Sequence, residues 1–559
     1  MRNCLLILFV LHFHLSSQAQ DFEFFWDDNK EYEKKHVNEL VSSYNESNYT
    51  FLLGTGRNYG FLSIKDAYKM NYLDMSPKSD IYPYMIKMSA DQKFISKINI
   101  KPVITNEKDY EIDEIARLKK NTFILYKNEK DKKGPNSYFI YKIDHSNGKS
   151  SFASYFTLSK DELTEHNRTN CFISADSSKT FVLFQKITKK VPVEKDEIKR
   201  IGGTLLNEDG GKIWSFQTVL EDFKETNCNI EEAIVLPNGD VYFTVKDYNE
   251  IMVEFTLSGA LRSYKEKIEQ PDKIYKLNFD TYLYKISQNG KSVTKINLNS
   301  SRYNSHYLFY NAQRNVVGFA GITHDNKDIP YSVEYAEINQ YDNSVRTSTC
   351  IFPKDYIDNI KKYLASIKKF DNEDNAENRL VRFINHISTQ DNTYIVADFN
   401  TSLHVFNSSF SNDFYFNGDI YILTVDNNGK ISFYNKVNRL FALDSHFCKN
   451  TDYKPYPFLY NGNICILRNS TEREISEEKI EKGKIFPYRK EWSLVLNKVE
   501  KDTIRSQELL STCNDLKVVN TSFLYRMSDS KFLFQYEEGR CGIYAVPMEH
   551  KYYSTLILK

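Results

Sequence analysis

Pairs of short apolar segments joined by polar turns recur along most of the chain. The stretch "TVDNNGKISFYNKV" (Thr424–Val437) has a run rich in β-branched and aromatic residues, a turn of Asn and Gly, and a second such run. Asn, Asp and Gly tolerate the positive φ angles of tight hairpins, so this pattern predicts two antiparallel strands. Similar stretches begin at Lys142, Leu206, Phe255 and Lys285.

A second, more apolar type of hairpin precedes the first type in each repeat. Its copies begin near Cys171, Glu231, Ser305, Phe383, Tyr456 and Asn520. Two hairpins make a four-stranded unit of roughly 45 to 75 residues, which is the length of a propeller blade with its insertions. One such sheet cannot bury both of its faces, whereas sheets stacked around an axis can.

The number and order of these units predict the fold class. The units begin near Tyr49, Ile112, Cys171, Glu231, Ser305, Phe383, Tyr456 and Asn520. We therefore predict an all-β chain that forms a single β-propeller of about eight four-stranded blades, with seven or nine as alternatives. Asp272–Leu298 has no assigned place in this scheme. Strand-like sequence continues to the C-terminus, so we expect the two ends of the chain to meet and close the ring.

Over nearly all of its length after the N-terminal segment, the chain resembles β-propeller proteins broadly. "DGGKIWSF" (Asp209–Phe216) is similar to a quinoprotein-type blade motif, in which Gly-Lys precedes a Trp. "SADSSKTF" (Ser174–Phe181) is similar to the Asp-box turn of sialidase-like propellers. The resemblance implies the propeller fold, and it implies that the Asp-box stretch is a structural turn.

Two stretches have the apolar spacing of helices. "DYIDNIKKYLASIKKF" predicts a helical insertion at 354–370, with apolar residues on one face and lysines on the other. This helix either packs on the ring or lies on a membrane surface. Val37, Leu40, Val41 and Tyr44 predict a second short helix. The domain boundaries predicted from these patterns are a helical lead-in at 20–48 and the propeller at 49–559.

The N-terminus has the features of a secretory signal peptide at 1–19. Arg2 precedes the apolar run Leu5–Leu11, and the small residues Ser17 and Ala19 follow it. The apolar run is too short to span a bilayer, so we expect a secreted or periplasmic protein without a transmembrane segment. The 74 Lys and Arg residues balance the 74 Asp and Glu residues. This balance argues against a nucleic-acid partner.

Cysteine and metal-binding patterns give little direct chemistry. Removal of residues 1–19 would take away Cys4 and leave seven of the eight cysteines, an odd number. Cys513 and Cys541 flank the last hairpin, so they form a candidate disulfide in an exported protein. There is no C-x-x-C, H-E-x-x-H, phosphate loop or nucleophile elbow. We therefore predict no metal ion and no cofactor.

Long connections indicate where a ligand site would lie. In a propeller, the turns within hairpins share one face of the ring, and the connections between hairpins and between blades share the other. The predicted connections Thr188–Arg200, Thr401–Gly418 and Asn469–Lys490 are long, whereas the hairpin turns are tight. Function usually resides in long loops on a rigid scaffold.

Six histidines fall in or beside these connections and are the predicted ligand-binding residues. We expect His306 and His386 to lie nearest the central channel. The four around them are His166, His324, His404 and His446. Histidines that converge can bind a ligand or act as acid and base. The alternative is that polar residues gather in loops without a shared role.

Three functions are compatible with these features. The first is a secreted binding scaffold for a protein, peptide or glycan. The second is an extracellular hydrolase or lyase that acts on glycans or other polymers at the channel mouth, and the third is a structural envelope protein. Whether the chain is an enzyme is left open by the sequence, and nothing in it predicts an oligomer, so we expect a monomer.

Overall fold

The computed structural model describes the chain in segments separated by gaps. They are residues 22–26, 36–46, 49–58, 80–89, 94–99, 110–128, 136–145, 149–158, 167–186, 198–224, 228–254, 273–287, 289–298, 303, 305–324, 329–368, 381–407, 410–439, 441–444, 454–471, 492–501, 503–511, 517–526, 528–538 and 550–558. In some of these strands only the backbone is described. The signal peptide predicted at 1–19 lies outside the described residues, as do Cys513 and Cys541, so the signal peptide and the disulfide stay predictions.

Eight antiparallel sheets account for the strands, and we number them as blades in chain order. Strand β1 (Phe22–Trp26) precedes blade 1 and belongs to the last blade. Blade 1 contains β2 (His36–Glu46), β3 (Tyr49–Asn58), β4 (Asp80–Ser89) and β5 (Phe94–Asn99). Blade 2 contains β6 (Tyr110–Arg117), β7 (Asn121–Asn128), β8 (Asn136–Asp144) and β9 (Ser150–Leu158). Blade 3 contains β10 (Asn167–Ile173), β11 (Lys179–Lys186), β12 (Ile198–Asn207) and β13 (Lys212–Lys224). Blade 4 contains β14 (Cys228–Val235), β15 (Val241–Glu254), β16 (Lys273–Ser287) and β17 (Ser292–Ile296).

The second half of the chain repeats this order. Blade 5 contains β18 (Ser305–Asn311), β19 (Val316–His324), β20 (Pro330–Ile338) and β21 (Val345–Ile351), and helix α1 (Lys354–Lys368) follows it. Blade 6 contains β22 (Val381–Ser388), β23 (Asn392–Asn407), β24 (Phe410–Asp426), β25 (Ile431–Val437) and the added strand β26 (Phe441–Asp444). Blade 7 contains β27 (Tyr456–Tyr460), β28 (Asn463–Thr471), β29 (Trp492–Val499) and β30 (Ile504–Ser511). Blade 8 contains β31 (Lys517–Arg526), β32 (Lys531–Glu538), β33 (His550–Leu558) and β1.

The blades form a closed ring. The first strands of consecutive blades contact one another from β6 to β31, β31 of blade 8 contacts β2 of blade 1, and β4 of blade 1 contacts β6 of blade 2. The first strand of each blade therefore lines the axis, and the fourth strand lies at the outer rim. β1 pairs antiparallel with β33, from Phe22 opposite Leu558 to Trp26 opposite Ser554. The chain is an eight-bladed β-propeller, and its two ends meet in one sheet as the sequence predicts.

The start of the propeller differs from the sequence prediction. The helical lead-in predicted at 20–48 is wrong, because both described elements there are strands, β1 and β2. The first blade accordingly begins at His36 and not at Tyr49. β2 has an irregular register between Leu40 and Ser42 in its pairing with β3. A bulge interrupts the strict alternation of a strand, which allows apolar residues to fall at helical spacing.

The stretch Asp272–Leu298, which the sequence left unassigned, belongs to blade 4. Asp272–Leu298 contains β16 and β17, which are the third and fourth strands of this blade. The "NGK" turn from Lys285 is therefore the outer hairpin of blade 4. The hairpin predicted from Phe255 lies outside the described residues. β15 and β16 are long strands that pair from Val241–Ile286 to Glu254–Lys273, and this length obscured the repeat in the sequence.

The recurrent outer turn has one hydrogen-bonding pattern. In blade 6 the carboxylate of Asp426 accepts hydrogen bonds from the backbone N–H groups of Asn428 and Lys430, both at 2.9 Å. Gly429, at φ +75°, donates its N–H to the carbonyl of Asp426 at 3.0 Å. Asn207 and Gly210 (φ +86°) take the same roles in blade 3. The repeated Asp/Asn and Gly spacing in the sequence is thus a turn requirement.

The turn similar to an Asp-box is also built as the resemblance implies. The hydroxyl of Ser174 accepts hydrogen bonds from the N–H groups of Ser178 and Lys179, and it donates to Asp176 at 2.6 Å. Partial burial opposes ionisation of Asp176, but hydrogen bonds from Ser174 and Ser178 outweigh it and lower the pKa of this carboxyl. The side chains of Ser174, Asp176 and Ser178 thus bond to one another and to the backbone of the turn, which is a structural role.

The apolar core is divided between the blades. One cluster joins Phe181 and Leu205 of blade 3 to Phe243 of blade 4, and these three side chains have no exposed surface. Equivalent clusters lie between the other consecutive blades from blade 2 to blade 8. Each such side chain contributes roughly 1.5–3 kcal/mol by leaving water. Because each cluster needs two blades, no single blade is expected to be stable alone.

Helix α1 packs on the ring. Ile360 is fully buried in the cluster shared by blades 5 and 6, and Tyr356 and Ile357 pack against the same cluster. The ring of Tyr356 lies 4.7 Å from that of Phe433, and the ammonium of Lys436 lies 4.5 Å from the Tyr356 ring centre. The described part of the apolar face, Tyr356, Ile357 and Ile360, is therefore covered by the propeller, in agreement with the first of the two interpretations of this helix.

Candidate functional site

The two faces of the ring differ, and we call them the turn face and the link face. The turn face carries the turns within hairpins, and these turns bond to one another. Arg314 of blade 5 donates to the carbonyls of Asp426 and Asn427 in blade 6, at 3.3 and 3.0 Å. Lys179 of blade 3 donates to the carbonyl of Pro237 in blade 4 at 2.7 Å. At these two junctions the tight turns are thus tied to the neighbouring blade.

The link face carries two extensions of the sheets. In blade 6, β23 and β24 pair beyond the first strand, from Asn400–Asn417 out to Asn407–Phe410, and β26 adds a third strand. At about 3.4 Å per residue this hairpin projects by roughly 25 Å. In blade 4, β15 and β16 likewise pair beyond β14, as far as Glu254 and Lys273. These extensions are supports on which a ligand can be held.

A buried group of charges lies at the base of the blade 6 extension, and we call it the charge cluster. It comprises Arg382, Asp398, Asp419, Lys436 and Arg439. Both oxygens of Asp398 accept from Arg382, Oδ1 from Nε at 2.7 Å and Oδ2 from Nη2 at 3.1 Å. Oδ2 also accepts from Nη2 of Arg439 at 2.7 Å. The side chains of Asp398 and Arg439 have no exposed surface.

In the charge cluster, burial and the neighbouring charges act on the pKa values of Arg439 and Asp419 in opposite directions. The pKa of Arg439 is lowered to about 10, because burial and the charges of Arg468 and Arg382 lower it more than Asp398 raises it. Arg439 is therefore still a cation at neutral pH. Burial raises the pKa of Asp419, while Lys436, whose ammonium lies 3.2 Å from Asp419 Oδ2, opposes this effect. Each buried charge thus depends on a partner.

The charge cluster fixes the point at which the extension leaves the ring. β23 has an irregular register between Asp398 and Asn400, where it passes beyond β22. Arg439 joins this point to the next strand by donating from Nε to the carbonyl of Gly418 at 2.9 Å. Sequence reasoning missed the cluster. The available signal was Asp398 itself, a charged residue in the otherwise apolar run Tyr394–Phe399.

The predicted site residue His306 lies between blades 4 and 5. Its Nε2 is 2.9 Å from the hydroxyl of Thr244 and 3.4 Å from Oε2 of Glu232, and its side chain is 3 % exposed. The imidazole stacks on Phe319 at 5.8 Å. Glu232 also accepts from the backbone N–H of Leu308 at 3.1 Å. His306 therefore belongs to a polar contact between neighbouring first strands.

The predicted site residue His386 lies between blades 5 and 6. Its ring stacks on Phe309 at 4.5 Å, and its Nδ1 is 3.0 Å from the hydroxyl of Tyr307. Burial lowers the pKa of His386 to about 4, and a hydrogen bond to the carbonyl of Tyr310 partly opposes this shift. His386 is thus neutral at physiological pH.

The structure does not bring the six predicted histidines together within its described part. His306 and His386 occupy interfaces on opposite sides of blade 5. His324 ends β19, and His404 lies on the blade 6 extension opposite Asp413. His166 and His446 lie outside the described residues. A ligand-binding role for these six histidines stays a prediction, and the described geometry supplies no shared binding shell for them.

Two aspartates face each other at the link end of blade 4. Asp247 of β15 is directly opposite Asp280 of β16. Partial burial raises the pKa of Asp247, and the charge of Asp280 raises it further. The nearby Tyr282 has its pKa raised mainly by burial and also by the charges of Asp280, Asp247 and Asp222. Like charges directly opposite each other destabilise a sheet, so this pair costs stability.

In the part of the chain that the structure describes, no three His, Cys, Asp or Glu side chains are grouped to hold a metal ion. Within the same part, no helix is long and apolar enough to cross a membrane. Of the cysteines described there, Cys350 and Cys465 are free thiols. Burial raises the pKa of Cys465 to about 11, so this thiol is protonated at neutral pH.

Comparison with known proteins gives structural likenesses only. No family model matches the chain, and no curated protein matches it. An acylaminoacyl peptidase of Pyrococcus horikoshii is similar at a TM-score of 0.33 and 10% identity, over 92% of this chain and 59% of the peptidase. The chain thus spans less than two thirds of that peptidase.

Two further similar structures are matched over most of both chains. The polysaccharide lyase Uly1 has a TM-score of 0.35 and 9% identity, over 94% of this chain and 99% of the lyase. The β-propeller domain of the Trilobed protease from Pyrococcus furiosus has a TM-score of 0.32 and 10% identity, over 86% of this chain and 96% of the domain. The fold assignment rests on the eight sheets and their order.

Proposed function

We propose that the protein is an exported binding scaffold that holds a protein, peptide or glycan on its link face. The observation that carries this proposal is the difference between the two faces. Tight turns bonded to one another occupy the described turn face, whereas two sheet extensions rise from the link face. A projecting hairpin is costly to order unless it contacts something, because it buries little apolar surface of its own.

The charge cluster supports the same proposal. Asp398 and Arg439 are buried at the base of the blade 6 extension and tie β23 to the carbonyl of Gly418. Because the end of the extension next to the ring is held in this way, the extension has one orientation in the free protein. A preorganised surface loses less conformational entropy when it binds. The cluster is therefore a positioning device, and the ligand is expected to contact the extension above it.

The test is a binding screen followed by surface variants. The intact protein is screened against immobilised polysaccharides and a displayed library of random peptides. Any binder is then measured against a variant in which residues 405–412 are replaced by an Asn-Gly turn, which shortens the extension and keeps the pairing of Asn400 with Asn417. We expect at least a tenfold loss of affinity with little change in melting temperature.

The matched control is Tyr341→Ala, because Tyr341 is 88% exposed in a tight turn of the opposite face. This variant should bind as the intact protein does. The proposal would be contradicted if Tyr341→Ala lost affinity for the ligand while the variant with the shortened extension kept it.

A second candidate function is a glycan-cleaving enzyme, and one observation favours it. Asp247 has a raised pKa and faces Asp280, as in sites where one carboxyl donates a proton while a second is ionised. If this pair is catalytic, the protein should shorten a polysaccharide in the same screen and Asp247→Asn should abolish that reaction. Shortening that persists in Asp247→Asn would exclude this pair as the site.

A further inference from the structure

The outer strand of blade 3 is an unusual sheet edge. β13 has 13 residues, and the seven other outer strands that the structure describes have five to nine. The segment Ile213–Leu220 of β13 contains no charged residue. Its pairing with β12 is regular from Lys199–Leu220 to Leu205–Trp214, without a bulge. Long, flat and uncharged edges are the ones to which further strands add.

Apolar side chains on this strand are exposed. Along β13, Trp214, Phe216 and Leu220 are buried against blade 4. On the alternate face Ile213 is 42% exposed and Val219 is 43% exposed. Three of the other outer strands carry features that discourage pairing. β21 has Arg346, whose guanidinium donates to the carbonyl of Asn428, while β25 and β30 contain charges and an irregular register.

The sequence of β13 is complementary to itself. Suppose that two copies pair antiparallel about a two-fold axis at Gln217. A residue that precedes Gln217 in one copy then faces the residue that follows Gln217 by the same number of positions in the other copy. Lys212 of one copy then lies opposite Asp222 of the other, and the reverse pair forms as well. Ser215 faces Val219, and the exposed Ile213 is diagonal to Val219 of the second copy. Opposite charges and apolar neighbours across strands both stabilise a sheet.

We propose that the protein self-associates through β13, which pairs antiparallel with β13 of a second copy to join two blades into one eight-stranded sheet. The interface is isologous, so it closes as a dimer and does not propagate. Asp222 is accessible to a second copy because its side chain is 71% exposed, although its carboxylate is 3.8 Å from the ammonium of Lys295. A single strand edge buries less area than a standard interface, so the dimer is weak.

The test is sedimentation of the full chain over a concentration series, with variants at the edge. The intact protein should show a reversible monomer–dimer equilibrium. Val219→Lys should raise the dissociation constant at least tenfold. Lys212→Asp and Asp222→Lys should each weaken the dimer, because each places like charges opposite each other. The double variant Lys212→Asp/Asp222→Lys should restore it, because opposite charges face each other again.

The matched control is Ile351→Lys, since Ile351 is 57% exposed on the outer strand of blade 5. It should leave the equilibrium unchanged, and melting curves should show that every variant is folded. A monomer at all concentrations would overturn the proposal. A dimer that is insensitive to Val219→Lys, or one that the double charge exchange fails to restore, would overturn it as well.

Discussion

The carboxylate of Asp398 has no exposed surface, and it accepts hydrogen bonds from both Arg382 and Arg439. Removing one member of a buried ion pair leaves the other charge in a medium that solvates it poorly. The cost is therefore larger than the net contribution of the pair. At the residue scale, this makes Asp398 the position in the charge cluster where the free energy of unfolding is most sensitive to substitution.

We predict that Asp398→Asn lowers the free energy of unfolding by about 3–5 kcal/mol, because Arg439 would keep its charge without a carboxylate. Denaturant unfolding measures this loss. Asp391→Asn is the control, since Asp391 is exposed in a turn of the same blade. Adding Arg439→Met to Asp398→Asn should recover part of the loss. Equal effects of Asp398→Asn and Asp391→Asn would contradict the assignment of a buried pair.

Asp247 has the opposite effect on stability. Its pKa is raised in the folded protein by partial burial and by Asp280, so the folded state favours the protonated carboxyl. A raised carboxyl pKa means that stability is highest below the unfolded pKa and is lost as pH rises through the folded pKa. A residue that weakens the protein at neutral pH is a candidate for a functional role.

We predict that Asp247→Asn stabilises the protein at pH 7 by about 0.5 kcal/mol, the size of one cross-strand pair. The gain should shrink and vanish as the pH falls below the ordinary aspartate pKa of about 3.9, where both carboxyls are protonated in either state. Melting temperatures of the two proteins across this pH range provide the measurement. A gain that is constant with pH would show that the effect is not electrostatic.

At the scale of elements, the outer turns explain the repeat that is visible in the sequence. Asp426 and Asn207 each accept backbone N–H groups two and four residues ahead, and a glycine with positive φ completes the turn. Adjacent turns then bond to each other through Arg314 and Arg346. One local geometry therefore sets both the hairpin register and the contact with the next blade.

We predict that Asp426→Ala destabilises the protein by about 1 kcal/mol, because the N–H groups of Asn428 and Lys430 lose their acceptor. The control is Asn428→Ala, at an exposed position in the same turn where the backbone carries the described hydrogen bonds. Thermal melting of both variants checks the prediction. A loss for Asn428→Ala as large as that for Asp426→Ala would argue against this turn geometry.

At the scale of the whole molecule, ring closure depends on two distant segments. β33 lies inside the sheet of blade 8, between β32 and the N-terminal β1. β1 is the outer strand of that sheet. Loss of β33 removes the partner of β1 as well, whereas loss of β1 exposes one edge. The two ends of the chain therefore contribute unequally to the ring.

We predict that removing Tyr552–Lys559 abolishes cooperative melting, because β33 and the attachment of β1 are both lost. Removing Phe22–Trp26 should lower the melting temperature but preserve a cooperative transition, with greater aggregation from the bare edge of β33. Calorimetry and light scattering distinguish these outcomes. A chain without Tyr552–Lys559 that melts like the intact protein would contradict closure through blade 8.

The sequence by itself determined the all-β class, a propeller of about eight blades and the turn at Thr424–Val437, because these follow from local rules. A turn needs particular residues, and a buried strand needs apolar ones. It misplaced the first blade because the bulge in β2 imitates helical spacing. It also could not assign β16 and β17, since the pairing of β16 with β15 extends beyond the ordinary repeat.

Only the tertiary structure decided what the polar residues do. Arg382, Asp398 and Arg439 are far apart in the chain and meet because three segments converge at the base of one extension. His306 and His386 are similar in the sequence repeat, yet each is enclosed by a different pair of blades. Burial, charge pairing and pKa depend on neighbours from other blades, and a linear pattern of polar and apolar residues does not specify those neighbours.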